Sequence, residues 1–438
     1  MKNNSEELNN QETRFEKNKQ RYLNRSRTVA SKYLQKLEEL PGAPEEFEYF
    51  ADILRKVFIN NETVSYGDNE KFVGSFCMAM PSELIRAAGA RPLKLCSNNI
   101  AGFTIGDYLT PDAVCPLVKS VVGSVAGEIG EIYKACDMYI VPVTCDCKRN
   151  LANQLTEYKP TMPLYIPMNR EDDEGISLYV QELKKAAGKI SEITGIKVTR
   201  ETLLEQILVY SDAQNTIKDF VDLKGGDNIV IRGAHALAVM NSMAYDDIDN
   251  WKMHLKKLNA ELLDRKNKQE YITRRNLPRI LLAGSPVTFP NMKISLIIEE
   301  RGGIIVADET CLGDGCARDR VSIYEDSLDG YYRSLANRAV RPCSCSVFPN
   351  PEPGIHKLEK MVRDSNAEGI IYHVFRGCLT NDYEFEQIKS HFAKLGIPVI
   401  RIESDCSEED VEQLCVRIEA FIEMIKFSNK KKERTYDV

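Results

Sequence analysis

Histidine and tryptophan are scarce in this chain, five and one in 438 residues. His235, His254, His356, His373 and His391 stand apart from one another, and none pairs with a cysteine at zinc-finger spacing. No Ser-His-Asp or Cys-His arrangement for nucleophilic catalysis is legible. The phosphate-loop patterns are missing too. There is no Gly-x-x-x-x-Gly-Lys-Ser/Thr, and no Gly-x-Gly-x-x-Gly follows a strand. The chain by itself therefore does not read as an ATPase.

Long apolar runs are also lacking. None approaches the roughly 18 residues of a membrane span. The N-terminal Met-Lys-Asn-Asn-Ser-Glu-Glu is polar and holds no secretory core segment. Positive charge is not in excess either. The formal charge of -7 argues against a general nucleic-acid binder, whose footprint is a basic patch. The basic run Lys430-Lys-Lys-Glu-Arg434 reads as a solvated end. These absences predict a cytoplasmic protein.

Cysteine, by contrast, is plentiful: the chain has thirteen. In a reducing compartment such a pattern points to metal or catalysis more than to disulfides, and the odd count agrees. Position carries more than number. Met138–Val143 is a short apolar run of the kind a strand buried on both faces shows. It stops at Thr144, and Cys145 and Cys147 follow at once. The pattern recurs. Gly369–Phe375 leads to Cys378, Gly303–Ala307 to Cys311, Lys71–Phe76 to Cys77 and Arg91–Leu95 to Cys96. Open α/β sheets bind ligands at the carboxyl ends of their strands.

The order of elements predicts an α/β protein. Residues 1–60 read as a helical N-terminal extension, with helices over Gln11–Leu40 and Glu45–Phe58. Residues 61–170 form a first α/β domain, with strands at Lys71–Phe76, Arg91–Leu95, Met138–Val143 and Met162–Ile166. Residues 171–275 are a helical connector, with helices over Ser177–Thr194, Thr199–Leu223 and Asp246–Asn267. Residues 276–427 are a second α/β domain, with strands at Arg279–Ala283, Ile304–Ala307, Gly369–Phe375 and Pro398–Ile402, and 428–438 are a tail. Alternating strands and helices predict parallel sheets. The expected architecture is two Rossmann-like (flavodoxin-like) domains whose strand ends face one cleft.

Several residues read as background. His373 sits inside an apolar strand and reads as a core or near-site residue. Cys406 and Cys415 read as structural, and Cys136 and Cys316 as non-ligands. The nearest cysteine pairs, Cys145-x-Cys147, Cys343-x-Cys345 and Cys311-x4-Cys316, are not the tight Cys-x2-Cys pairs of zinc ribbons. Wide separation suits a large buried cluster held by several loops. Spacing alone leaves that reading and free core thiols equally open.

The motifs carry a resemblance. Phe76-Cys-Met-Ala-Met-Pro-Ser-Glu-Leu-Ile-Arg-Ala-Ala-Gly-Ala90, Leu95-Cys-Ser97, Cys115-Pro-Leu-Val-Lys-Ser120 and Thr144-Cys-Asp-Cys-Lys-Arg149 come from the first half. Glu309-Thr-Cys-Leu-Gly313, Pro342-Cys-Ser-Cys345 and Phe375-Arg-Gly-Cys378 come from the second. In this order they resemble the 2-hydroxyacyl-CoA dehydratase and benzoyl-CoA reductase family over roughly residues 65–425. The resemblance implies that Cys115, Cys145 and Cys378 hold one 4Fe-4S cluster. Cys77, Cys343 and Cys345 are similar to the branch of double-cubane cluster proteins, which implies a second cubane and an 8Fe-9S unit on six thiolates. Cys96 or Cys311 is the alternative for one of the last three. Cys147 stands where the family usually has a small residue. The implied activity is a low-potential reductase acting on a small substrate. Its electrons would come from a separate ATP-hydrolysing 4Fe-4S activator, and the chain would pair as a homodimer. The alternatives are a dehydratase subunit with one 4Fe-4S cluster and a non-catalytic electron carrier.

Overall fold

Four strands of the first half lie side by side: β1 (Phe72–Ser75), β2 (Arg91–Lys94), β3 (Met138–Val143) and β4 (Thr161–Tyr165). Their order is β2-β1-β3-β4, and every pairing is parallel. Two short strands, β5 (Asn228–Ile229) and β6 (Thr273–Arg274), form an antiparallel pair between the halves of the sequence. The second half repeats the first pattern with β7 (Arg279–Gly284), β8 (Ile304–Glu309), β9 (Gly369–Phe375) and β10 (Val399–Ser404). Read from β8, its order is β8-β7-β9-β10, again all parallel. Both sheets therefore place the first strand between the second and the third. The chain is an α/β protein with two Rossmann-like parallel sheets. The computed structural model describes residues 2–274, 277–317, 319–341 and 345–436, with side chains over 18–273, 277–315, 319–341 and 345–429.

The eight strands of the two parallel sheets fall where apolar runs predict them, with ends shifted by at most two residues, while the short β5 and β6 were not expected. β3 holds a proline at Pro142, which lacks the N–H a central strand needs. It is tolerated because β1 pairs with β3 only as far as Ile140, so Pro142 faces β4 alone. Pro92 and Pro163 lie on the edge strands β2 and β4, the usual place for strand prolines.

The N-terminal helices span Lys2–Glu39 and Phe47–Arg55, the second continued by a π-helical turn, Lys56–Asn60. Tyr33, Leu34, Leu37, Phe47 and Phe50 are buried in one apolar cluster with Trp251, Leu255 and Leu258. The connector holds the helices Asp173–Thr194, Arg200–Lys224 and Ile248–Lys268, close to the expected limits. It also holds a helix that the periodicity misses, Gly233–Ser242. Every residue of it is buried. Apart from His235 and Asn241 its side chains are small or apolar, so it shows no amphipathic period.

One helix pair is unusually close. Ile100–Leu109 crosses Pro116–Ala126 at Gly102, Gly106 and Gly123. A Cβ on Gly106 would lie 1.9 Å from the Lys119 carbonyl oxygen, and one on Gly123 1.9 Å from that of Gly102. Backbones can touch here only because these positions carry no side chain. The second helix begins directly after Cys115.

Candidate active site: a thiol-lined cavity

In a doubly wound sheet the crevice opens where the strand order reverses, at the carboxyl ends of the first and third strands. In the first sheet those exits carry Cys77, after β1, and Cys145, after β3. In the second they carry Ser285, after β7, and Cys378, after β9. The two crevices open into one cavity of about 390 Å³. Its wall includes Cys77, Cys115, Cys145, Cys147, Cys311, Cys345 and Cys378.

Five of the six expected ligands thus share one space. The sixth, Cys343, lies outside the described residues, as does the side chain of Cys316. Cys147 and Cys311 join the wall, while Cys96 does not. The Cys96 thiol turns to the Phe76 carbonyl at 2.9 Å. Cys136 and Cys406 are buried away from the cavity, and Cys415 is half-buried elsewhere. His373 is a core residue beneath the site. Its Nδ1 meets the Ser285 carbonyl at 3.0 Å and its Nε2 the Ser404 hydroxyl at 2.7 Å.

Local structure places three thiols alike. Cys115, Cys145 and Cys378 each occupy the cap position before a helix, Pro116–Ala126, Asp146–Leu155 and Leu379–Lys394. The positive end of each helix dipole therefore faces the cavity, which favours thiolate and bound negative charge. Burial opposes this. It pushes the Cys115 thiol up to about 12, with Cys378 adding to the rise and the first-turn N–H groups of Leu117 and Val118 pulling it down. Burial also raises Cys145, against the pull of the Lys148 N–H. A coordinated metal would deprotonate the thiols that hold it.

The remaining wall is mixed. Met78, Ile217 and Met243 give an apolar side. Glu309, Lys357 and Glu384 give a polar one, with Lys357 Nζ 3.1 Å from Glu309. Burial lifts the Glu384 carboxyl to about 7, although the Tyr372 hydroxyl donates to it and pulls the other way. Lys94 is buried beside Cys77 and donates to Ser75 Oγ at 2.9 Å, Met80 O at 3.0 Å and Cys77 O at 3.2 Å. Desolvation lowers its amine to about 8. Lys148 donates to the Phe76 carbonyl. Sequence reasoning did not single out these charged residues. Lys148 and Glu309 lie inside the quoted motifs, but Glu384 and Lys357 sit on helices with no local signal.

A buried ion pair holds the loop that carries Cys311. Lys224, from the connector, meets Asp314, and both are 1% exposed. Asp314 Oδ2 also accepts from the Asp308 N–H at 3.0 Å. Gly315 packs so closely on Glu309 that a Cβ there would lie 1.4 Å from Oε2.

Among the described residues, no three His, Cys, Asp or Glu side chains converge on a point that would hold a single metal ion. The donor set nevertheless fits an iron–sulfur cluster. Thiolates are its ligands, and several approach one cavity from different loops.

Fold and site together define a two-sheet α/β protein with a thiol-lined interior crevice. The chain belongs to the family described as 2-hydroxyglutaryl-CoA dehydratase, D-component, whose model matches residues 77–425. Curated relatives agree. The chain is 28% identical over 359 residues to a putative dehydratase subunit, YjiM, of Escherichia coli K12, covering 81% of this chain and 91% of that protein. It is 25% identical over 387 residues to the (R)-phenyllactyl-CoA dehydratase beta subunit of Clostridium sporogenes, covering 86% and 98%. It is 24% identical over 311 residues to one subunit of the benzoyl-CoA reductase of Thauera aromatica, covering 69% and 78%. The chain is thus a component of an enzyme of the dehydratase and reductase type. Among the described residues, no helix is long and apolar enough to cross a membrane.

Proposed function

We propose that the chain is an ATP-dependent low-potential reductase that carries a double-cubane 8Fe-9S cluster on Cys77, Cys115, Cys145, Cys343, Cys345 and Cys378. The observation that supports this most is the shared cavity. Thiols that are far apart in sequence and leave two different sheets line one space. The three expected for the first cubane are also the three that sit at helix starts. A bound cluster would supply electrons at low potential, and ATP hydrolysis by a separate 4Fe-4S activator would drive them there. The chain's own residues would hold the thiolates in place and exclude bulk water. Glu384, raised to about 7 and held by Tyr372, would exchange a proton with a small substrate in the cavity. The chain would work as a homodimer in the cytoplasm.

A second reading has its own support. The family description and two of the relatives above name dehydratases. A dehydratase subunit would hold one 4Fe-4S cluster on Cys115, Cys145 and Cys378 and need a related partner subunit. Iron counting separates the two. Protein purified without oxygen is expected to hold about eight irons per chain, and Cys77→Ser and Cys345→Ser each to lose about half of them. About four irons in the wild type, unchanged in both variants, selects the dehydratase. Stoichiometric zinc without iron overturns both.

A further inference from the structure

We propose that Lys148 is the cation that compensates the negative charge of the cluster and so raises its reduction potential. This inference rests on the cluster reading above. Several thiolates and sulfides in a largely apolar cavity carry net negative charge. Burying that charge is costly unless a cation or a donor answers it. Among the described residues, four cationic side chains reach the cavity wall: Lys94, Lys148, Arg338 and Lys357.

Three of the four are already engaged. Arg338 pairs with Glu83 at 2.8 Å. Lys357 pairs with Glu309 at 3.1 Å and with Asp319 at 3.4 Å. Lys94 has an oxygen acceptor for each of its three N–H bonds. Lys148 differs. Its ammonium meets one acceptor, the Phe76 carbonyl, and makes no ion pair among the described residues. An ammonium has three donors, so two are left for the contents of the cavity. Cys77, Cys96, Cys311 and Cys145 are its electrostatic neighbours. Lys148 also lies in the first turn of the helix Asp146–Leu155, whose dipole adds in the same sense.

A cation within reach of a cluster favours the reduced, more negative state. Charge and hydrogen bonds to sulfur are the levers by which a protein tunes such potentials. Lys148 is a positioning residue in this sense, because it acts through the cluster and not on substrate.

The test compares wild type, Lys148→Met and Lys148→Arg, all purified without oxygen. Iron and sulfide per chain are measured, and the midpoint potential is read by paramagnetic resonance during a redox titration. In Lys148→Met the one-electron reduction equilibrium is expected to fall about tenfold, a negative shift of about 59 mV, with Lys148→Arg close to wild type. Loss of iron in Lys148→Met that Lys148→Arg restores, with unfolding still cooperative, supports the same role. Unchanged potential and spectrum in an iron-replete Lys148→Met overturns the inference and leaves the cluster reading standing. Equal loss of iron in both variants also overturns it, since charge would not be the cause. Wild type without iron removes the cluster reading and this inference with it.

Discussion

Cys115, Cys145 and Cys378 occupy the position before a helix where serine, threonine or aspartate is usual. None of the three closes a capping bond of ordinary geometry, although first-turn N–H groups point at the sulfurs of Cys115 and Cys145. Sulfur is a weak acceptor, so each site gives up some helix stability. Cys145→Ser is therefore expected to stabilise the metal-free protein by about 0.5–1 kcal/mol, read as a higher Tm, while its iron content falls. A second residue-scale prediction concerns pH. His235 is fully buried, and burial lowers its pKa from 6.5 to about 4, against the pull of the Leu37 carbonyl. The unfolded chain takes up this proton first, so the contribution of His235 is complete above pH 6.5 and is lost as pH falls toward 4. His235→Gln has no proton to take up. Its stability relative to wild type is expected to improve by on the order of 3 kcal/mol between pH 7.5 and pH 4, measured by denaturant unfolding. A constant difference across that range would refute the assignment.

At the scale of elements, the site depends on helices that bring sulfur to the crevice. The pair Ile100–Leu109 and Pro116–Ala126 is set by contact at Gly102, Gly106 and Gly123. Gly123→Ala would force a methyl into the Gly102 carbonyl. Overpacking of this kind costs about 1–3 kcal/mol. The helix start that carries Cys115 would move with it. Gly123→Ala is expected to lower both Tm and iron content, whereas Gly188→Ala, inside the helix Asp173–Thr194 and meeting nothing within 4 Å, raises Tm slightly and leaves iron content unchanged. Equal behaviour of the two variants would show that the close crossing is dispensable.

At the scale of the whole molecule, two sheets of the same strand order open into one cavity. The sequence holds no phosphate loop of its own. Under the proposed division of labour the purified chain hydrolyses no ATP, and substrate reduction requires both the activator and ATP. An assay of phosphate release by the chain alone checks this, and turnover matching that of the pair would contradict it.

Strand positions were legible in the sequence because apolar runs bounded by turn signals have one economical use, a strand buried on both faces. β3 and β9 match the sequence reading residue for residue. Thiols at strand exits were legible for the same reason. The helix Gly233–Ser242 was not, because burial on every side erases the period that marks a helix. Tertiary structure alone separates Cys96 from Cys311. Both follow strands in the sequence, yet the first bonds to a carbonyl outside the wall and the second lines the cavity. Only folding pairs Tyr372 with Glu384, or sets the Lys148 ammonium among thiols from both sheets. Local pattern fixes which residues leave a strand. Which of them meet depends on how two sheets and a helical connector pack, and long-range packing leaves no period in the sequence.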